Sequence, residues 1–220
     1  IVTSPAEHSA VIASSEKMAK LFGVEVVHVK HFKDGTIDCE NLCEILSTGP
    51  KTLVSLMHAN NEIGVIQPLD TLSEACTQVV ALFHSDTVQT MAHYSFALDS
   101  LNIDFLTCSA HKFHGPKGTG FLYTHPRNNI KSQIVGGGQE RGLRSGTENL
   151  HGIVGLATAI KLAYTNLDAH STHVRAIKQH KVEGLKASVT GVDFNGYSDL
   201  ESMLYTVLNV NVPPHPLDCH

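Results

Sequence analysis

Residues 103–120 read Ile-Asp-Phe-Leu-Thr-Cys-Ser-Ala-His-Lys-Phe-His-Gly-Pro-Lys-Gly-Thr-Gly. A short apolar run ends in Thr107-Cys108-Ser109, a His-Lys pair follows at once, and glycines then let the chain turn closely. Ligands of open α/β sheets bind in the crevice outside the carboxyl ends of the strands, so a lysine-bearing polar turn at a strand's end is placed to meet a ligand there. In such a crevice Lys112 can have its pKa lowered and act as an amine nucleophile. An exposed loop lysine is the plainer reading of the same letters. Ser109 and His111 beside it offer donors suited to a phosphate.

Working outward, the same design recurs twice. Residues 84–89, His-Ser-Asp-Thr-Val-Gln, leave an apolar run at 81–84, and Asp86 either faces a charged partner at the crevice or caps a helix. Residues 57–68, Met-His-Ala-Asn-Asn-Glu-Ile-Gly-Val-Ile-Gln-Pro, follow the buried-strand run 52–57 and put Asn60 and Asn61 at a strand end, or in a simple Asn-rich turn. Further strands are read at 1–3, 24–29, 103–107 and 120–123. Helices are read at 8–22, 38–46 and 70–80 from apolar residues recurring at helical spacing. This rhythm predicts an α/β fold with a mainly parallel sheet sandwiched by helices. After a Gly-rich loop at 136–138, helices at 148–167 and 168–188 and strands at 192–195 and 204–212 read as a bridge into a smaller α+β domain. The expected division is 1–167 and 168–220.

Composition limits the function. An apolar fraction of 42% supports a sizeable core and excludes a disordered chain. The formal net charge of −5 leaves no basic excess for general nucleic-acid binding. No apolar run approaches membrane-span length, so no membrane partner is expected and a cytoplasmic location is the default. Five cysteines, an odd number in a chain of this size, argue for a reducing compartment. The histidine pairs 28/31, 111/114 and 170/173 lack carboxylate or cysteine companions at ligand spacing, so no metal site is expected. The chain opens on Ile1 within a strand-like run and stops soon after another, which reads as an excised piece of a longer protein.

Together, Glu7-His8-Ser9-Ala10-Val11, the run 58–64, Asp86-Thr87-Val88-Gln89, Ser109-Ala110-His111-Lys112 with its Gly-Pro-Lys-Gly tail, and the run 136–149 resemble the class V aminotransferase superfamily, and within it the cysteine desulfurases of the NifS type. The resemblance covers residues 1 to about 160 densely and the remainder loosely. It implies the large domain of a pyridoxal-phosphate enzyme of fold type I. Lys112 would carry the pyridoxal phosphate as a Schiff base and later move protons. Asp86 would pair with the pyridine nitrogen, and Gln89 would bond the phenolic oxygen. His8 would stack on the ring and take part in proton transfer. Asn60 would sit beside it and help seat the substrate. Ser109 and His111 would hold the phosphate, with Arg141 and Arg144 supplying positive charge nearby. Thr147 would reach the phosphate of a partner subunit, implying a homodimer. The implied reaction takes sulfur from L-cysteine, leaves L-alanine, and stores the sulfur as a persulfide for an acceptor or scaffold protein in iron–sulfur or thio-cofactor assembly. A selenocysteine lyase, another class V enzyme and a truncated non-catalytic domain are the alternatives.

The pattern departs in three places. The family's nucleophilic cysteine lies in a Ser-Gly-rich segment, and Cys219, set in Pro-Leu-Asp-Cys-His, does not match it. Cys108 reads as a buried small hydrophobe. The family's early phosphate turn and its carboxylate-clamping arginine fall outside the chain, so weak or no cofactor binding is expected of this stretch alone.

Overall fold

The computed structural model describes residues 1–196 and 203–214. Six strands form one sheet: β1 (Val2–Thr3), β2 (Val27–His28), β3 (Leu53–Ser55), β4 (Leu82–Asp86), β5 (Phe105–Ser109) and β6 (Gly120–Thr124). Their order is β2-β1-β3-β4-β5-β6. Every pairing is parallel except β5 with β6, which is antiparallel. The expected mainly parallel sheet is therefore present, with an antiparallel strand at one edge.

Strand order explains where the helices lie. From β1 the chain moves to β2 on one side through α1 (Ser9–Phe22). It then returns across β1 to β3 through α2 (Cys39–Thr48) and on to β4 through α3 (Leu69–Gln78). Crossovers between parallel strands keep one hand, so reversing direction moves the connecting helix to the opposite face. Leu42, Leu46, Leu72 and Cys76 from α2 and α3 accordingly join Val54, Leu56, Phe83, Leu106 and Cys108 of the sheet in one core cluster. α4 (Leu150–Thr165) adds Leu156, Ala159, Ile160 and Ala163 to the same cluster. α1 stands over the other face. The reversal opens the sheet's switch point between β1 and β3, where a ligand crevice forms in folds of this kind.

Local chemistry sets the element ends. Asp38 accepts a hydrogen bond from the Asn41 backbone N–H at 3.0 Å, so it caps α2 and the helix begins one residue later than the periodicity predicts. α1 ends at Gly23 in the left-handed region, φ 64°, whose N–H returns to Ala19. The glycines after Lys112 serve the chain's own backbone. A Cβ at Gly120 would lie 2.2 Å from the Cys108 carbonyl oxygen, and one at Gly115 would lie 2.9 Å from that of Ala110.

Only Asn166 separates α4 from α5 (Leu167–Ser188), a long helix that buries Lys178 and Val182. Beyond it, β7 (Asp193–Phe194) pairs antiparallel with β8 (Val210–Asn211). The strand expected over 204–212 is reduced to β8, because Met203, Leu204 and Tyr205 are drawn into a buried turn. Leu204 donates its N–H to the Gly64 carbonyl, and Met203 bridges Val65. The strand expected at 24–29 shortens to β2, which pairs with the two-residue β1. Among the described residues no helix is long and apolar enough to cross a membrane.

Candidate active site

Side chains on successive strand residues point to opposite faces. In β4, Phe83 and Ser85 are buried while His84 and Asp86 are only partly covered; in β5, Leu106 and Cys108 are buried while Thr107 and Ser109 are partly covered. His84, Asp86, Thr107 and Ser109 thus share the face opposite the core. With Leu53, Ser55 and Met57 they floor a cleft of about 660 Å³, walled by Ala10, Val11, Ser14 and Met18 of α1. That volume is in the range of small-molecule and cofactor sites.

Lys112 and Asp86 line this one cleft, and Gln89, Ser109, His111 and His8 line it with them. Lys112 is set by a 3₁₀ turn, Ala110–Phe113, that follows β5 directly. Ser109 Oγ and His111 Nδ1 lie 2.8 Å apart, so the two groups expected at a phosphate are already paired. Asp86 Oδ1 accepts from the Val88 N–H at 2.9 Å, an Asx turn that aims the carboxylate out of β4; no helix begins there for it to cap. His8 is the N-cap of α1, its Nδ1 accepting from the Ala10 N–H at 3.2 Å, and it is otherwise exposed.

Asn60 is arranged differently. Its amide nitrogen donates to the Ala6 carbonyl at 2.9 Å and its oxygen accepts from the N–H groups of Glu62 and Ile63 at 2.8 and 2.9 Å. This side chain holds the turn after β3 against the end of β1, and Asn61 is the neighbour that lines the cleft. Thr147 is exposed on the Gly-rich loop and does not line the cleft, and neither do Arg141 and Arg144. Arg144 donates to the Ser145 carbonyl at 3.0 Å. Cys219 lies outside the described residues.

Four titratable groups near the cleft are perturbed by burial. Burial pushes the Glu7 carboxyl up to about 8, against the pull of the Met57 N–H and with the charge of Asp86 adding to the rise. Glu7 Oε1 accepts from that N–H, and Oε2 finds no hydrogen-bond partner among the described residues. Burial lowers His84, partly offset by Asp86, while its ring bonds Ser55 Oγ at 2.8 Å and Thr107 Oγ1 at 3.4 Å. His58 is pushed down to about 4 by burial, and its Nδ1 meets Thr90 Oγ1 at 2.9 Å. Burial, with Asp86 adding, pushes the Cys108 thiol up to about 12, so it holds its proton and is a poor nucleophile.

The sequence alone gives no role to Ser55, His84 and Thr107, and it places Asn61 at the strand end beside Asn60 without one. The period-two alternation of the strands was the available signal for the first three, since His84 and Thr107 sit two residues from Asp86 and Ser109 on the same face. Among the described residues no group of three or more His, Cys, Asp or Glu side chains converges as a metal site would. The donors that do converge are an amine, a carboxylate, a carboxamide, a hydroxyl and imidazoles. That set suits an aldehyde-bearing, basic heterocycle with an anionic substituent, and pyridoxal phosphate fits it.

Comparison with known proteins leads to the same class. The family described as aminotransferase class-V matches residues 1–218, and the chain belongs to that family. It is 37% identical over 209 residues to the cysteine desulfurase IscS of Clostridium botulinum, an alignment covering 95% of this chain and 52% of that protein. Among solved structures, a NifS-like protein superposes with a TM-score of 0.87 at 37% identity, over 96% of this chain and 57% of the other. The NifS-like protein from Rickettsia africae gives a TM-score of 0.89 at 28% identity, over 97% and 58%. The chain spans about half the length of the curated relatives it matches.

Proposed function

We propose that the protein carrying this chain is a pyridoxal-phosphate-dependent cysteine desulfurase that converts L-cysteine to L-alanine and holds the sulfur as a persulfide for iron–sulfur or thio-cofactor assembly. One observation carries the reading: Lys112, Asp86, Gln89, Ser109 and His111 line a single cleft at the carboxyl ends of β4 and β5. When bound, pyridoxal phosphate supplies an electron sink for negative charge at the substrate's Cα.

The chain's own residues divide the remaining work. Lys112 holds the cofactor through its amine and moves the proton at the substrate's Cα. Asp86 keeps the ring nitrogen protonated, and Gln89 bonds the phenolic oxygen. Ser109 and His111 hold the phosphate through hydroxyl and imidazole groups. His8 covers the ring face. Asn61 takes the cleft position expected of Asn60, while Asn60 fixes the turn that carries it. Thr147 serves the phosphate of the other chain in a homodimer, which agrees with its exposure away from its own cleft. None of the described cysteines lines the cleft, so the sulfur-accepting thiol comes from outside the described residues. A division near residue 167 between a cofactor domain and a second, smaller one is supported by the separate β7–β8 sheet downstream.

The test is spectroscopic and then chemical. With pyridoxal phosphate the protein should gain a visible absorbance that borohydride bleaches, and Lys112→Ala should not. L-cysteine should then yield alanine, with sulfide released by a thiol reductant; selenide released in preference from selenocysteine would favour the lyase. A protein that stays colourless with added cofactor overturns the assignment.

A further inference from the structure

The backbone that carries Lys112 is tethered in a way the proposed chemistry does not itself require. Its 3₁₀ turn spans four residues and ends at His114 in the left-handed region, φ 66°. The last carbonyls of so short a helix lack helical partners. That of Lys112 meets His93 Nε2 at 3.2 Å. A carbonyl only accepts, so Nε2 carries the hydrogen and Nδ1 is left as an acceptor. The Tyr205 hydroxyl lies 2.8 Å from Nδ1 and donates to it. One imidazole tautomer therefore satisfies both contacts.

Tyr205 is itself rigidly held. It is 1% exposed, and the Arg175 guanidinium lies 5.2 Å from its ring centroid. The rings of Tyr94 and His170 pack at 5.8 and 6.2 Å. The preceding residue, Leu204, is clasped from two sides: its N–H donates to Gly64, and its carbonyl accepts from Lys178 Nζ at 3.0 Å. Burial lowers the His93 pKa, and the Lys112 carbonyl opposes that fall; the neighbouring His170 and His114 add to it, which keeps the neutral ring that this arrangement needs.

We propose that His93 is a positioning residue for Lys112: its Nε2–H holds the backbone carbonyl of the reactive lysine, while Tyr205 fixes the imidazole tautomer that makes this donor available. The inference rests on the reading that Lys112 holds the cofactor. It identifies a route by which the segment after α5 acts on the cleft without touching it.

Two substitutions separate positioning from bulk. In His93→Gln the side-chain nitrogen reaches the place of Nε2 and keeps the donor to Lys112. His93→Asn stops one atom short, at the place of Nδ1. The first-order rate at which visible absorbance appears at saturating pyridoxal phosphate should fall about tenfold in His93→Asn, as expected for one unmade hydrogen bond, and stay within about twofold in His93→Gln. Half-saturation by the cofactor should be unchanged in both. In the unmutated, cofactor-free protein, imidazole nitrogen NMR should show His93 as the Nε2–H tautomer; an Nδ1–H tautomer overturns the inference without recourse to any variant. A coloured parent protein whose Asn variant matches its Gln variant overturns this inference alone. A parent that stays colourless overturns the cofactor reading and this inference with it.

Discussion

Glu7 offers the sharpest link between burial and measurable behaviour. The residue is 5% exposed, its Oε1 is held by the Met57 N–H, and its Oε2 is without a partner among the described residues. Burial raises its pKa from 4.5 to about 8. A carboxyl whose pKa is raised by folding keeps a proton that the unfolded chain releases, so the folded state binds more protons and stability falls as pH rises. The decline starts near the unfolded value of 4.5 and is complete above the folded value of about 8. At about 1.36 kcal/mol for each pH unit across that window, the loss amounts to ~5 kcal/mol. Glu7→Gln removes the titration while keeping an acceptor for Met57. Urea unfolding of both proteins between pH 5 and pH 9 should therefore give curves that converge or cross at the acid end. At the alkaline end the variant should be the more stable by several kcal/mol. Parallel pH profiles for the two proteins would refute the reasoning, because they would mean that Glu7 titrates alike in the folded and unfolded chains.

Two further outcomes follow from the fold. Gly120→Ala places a methyl 2.2 Å from the Cys108 carbonyl oxygen in the β5–β6 ladder, a contact that backbone alone can relieve, so a loss of about 3 kcal/mol is expected in chemical denaturation. Asp38→Ala leaves the Asn41 N–H at the start of α2 without its cap and should lower stability by about 1 kcal/mol, while Asp38→Asn should recover most of it in the same measurement.

Much of the architecture was legible because strands and helices alternate cleanly and because three segments place polar, functional side chains directly after apolar runs. Lys112, Asp86, Ser109 and His111 were found this way, Gln89 and His8 came from the family resemblance, and all six line the cleft. What escaped depends on contacts distant in the chain. Asn60 and Asn61 are interchangeable as letters; the carbonyl of Ala6, 54 residues earlier, decides which one is spent on the turn. His93 gains significance only from Lys112 and Tyr205, the latter 112 residues away. The run 204–212 has strand character, yet the pocket beside Gly64 and the ring of His93 draw its first residues into a turn. The glycines after Lys112 signalled close approach correctly, but what they approach is the carbonyl backbone of Cys108 and Ala110.

The alternation within β4 has one more consequence. Phe83 and Ser85 face the core while His84 and Asp86 face the cleft. A single codon lost or gained inside that strand would swap the two sets, sending an aromatic ring into the ligand's space and an acid into oil. The chain can therefore tolerate changes of length in the surface connections between its elements, such as the stretch before α2, but not along the five residues that carry the carboxylate.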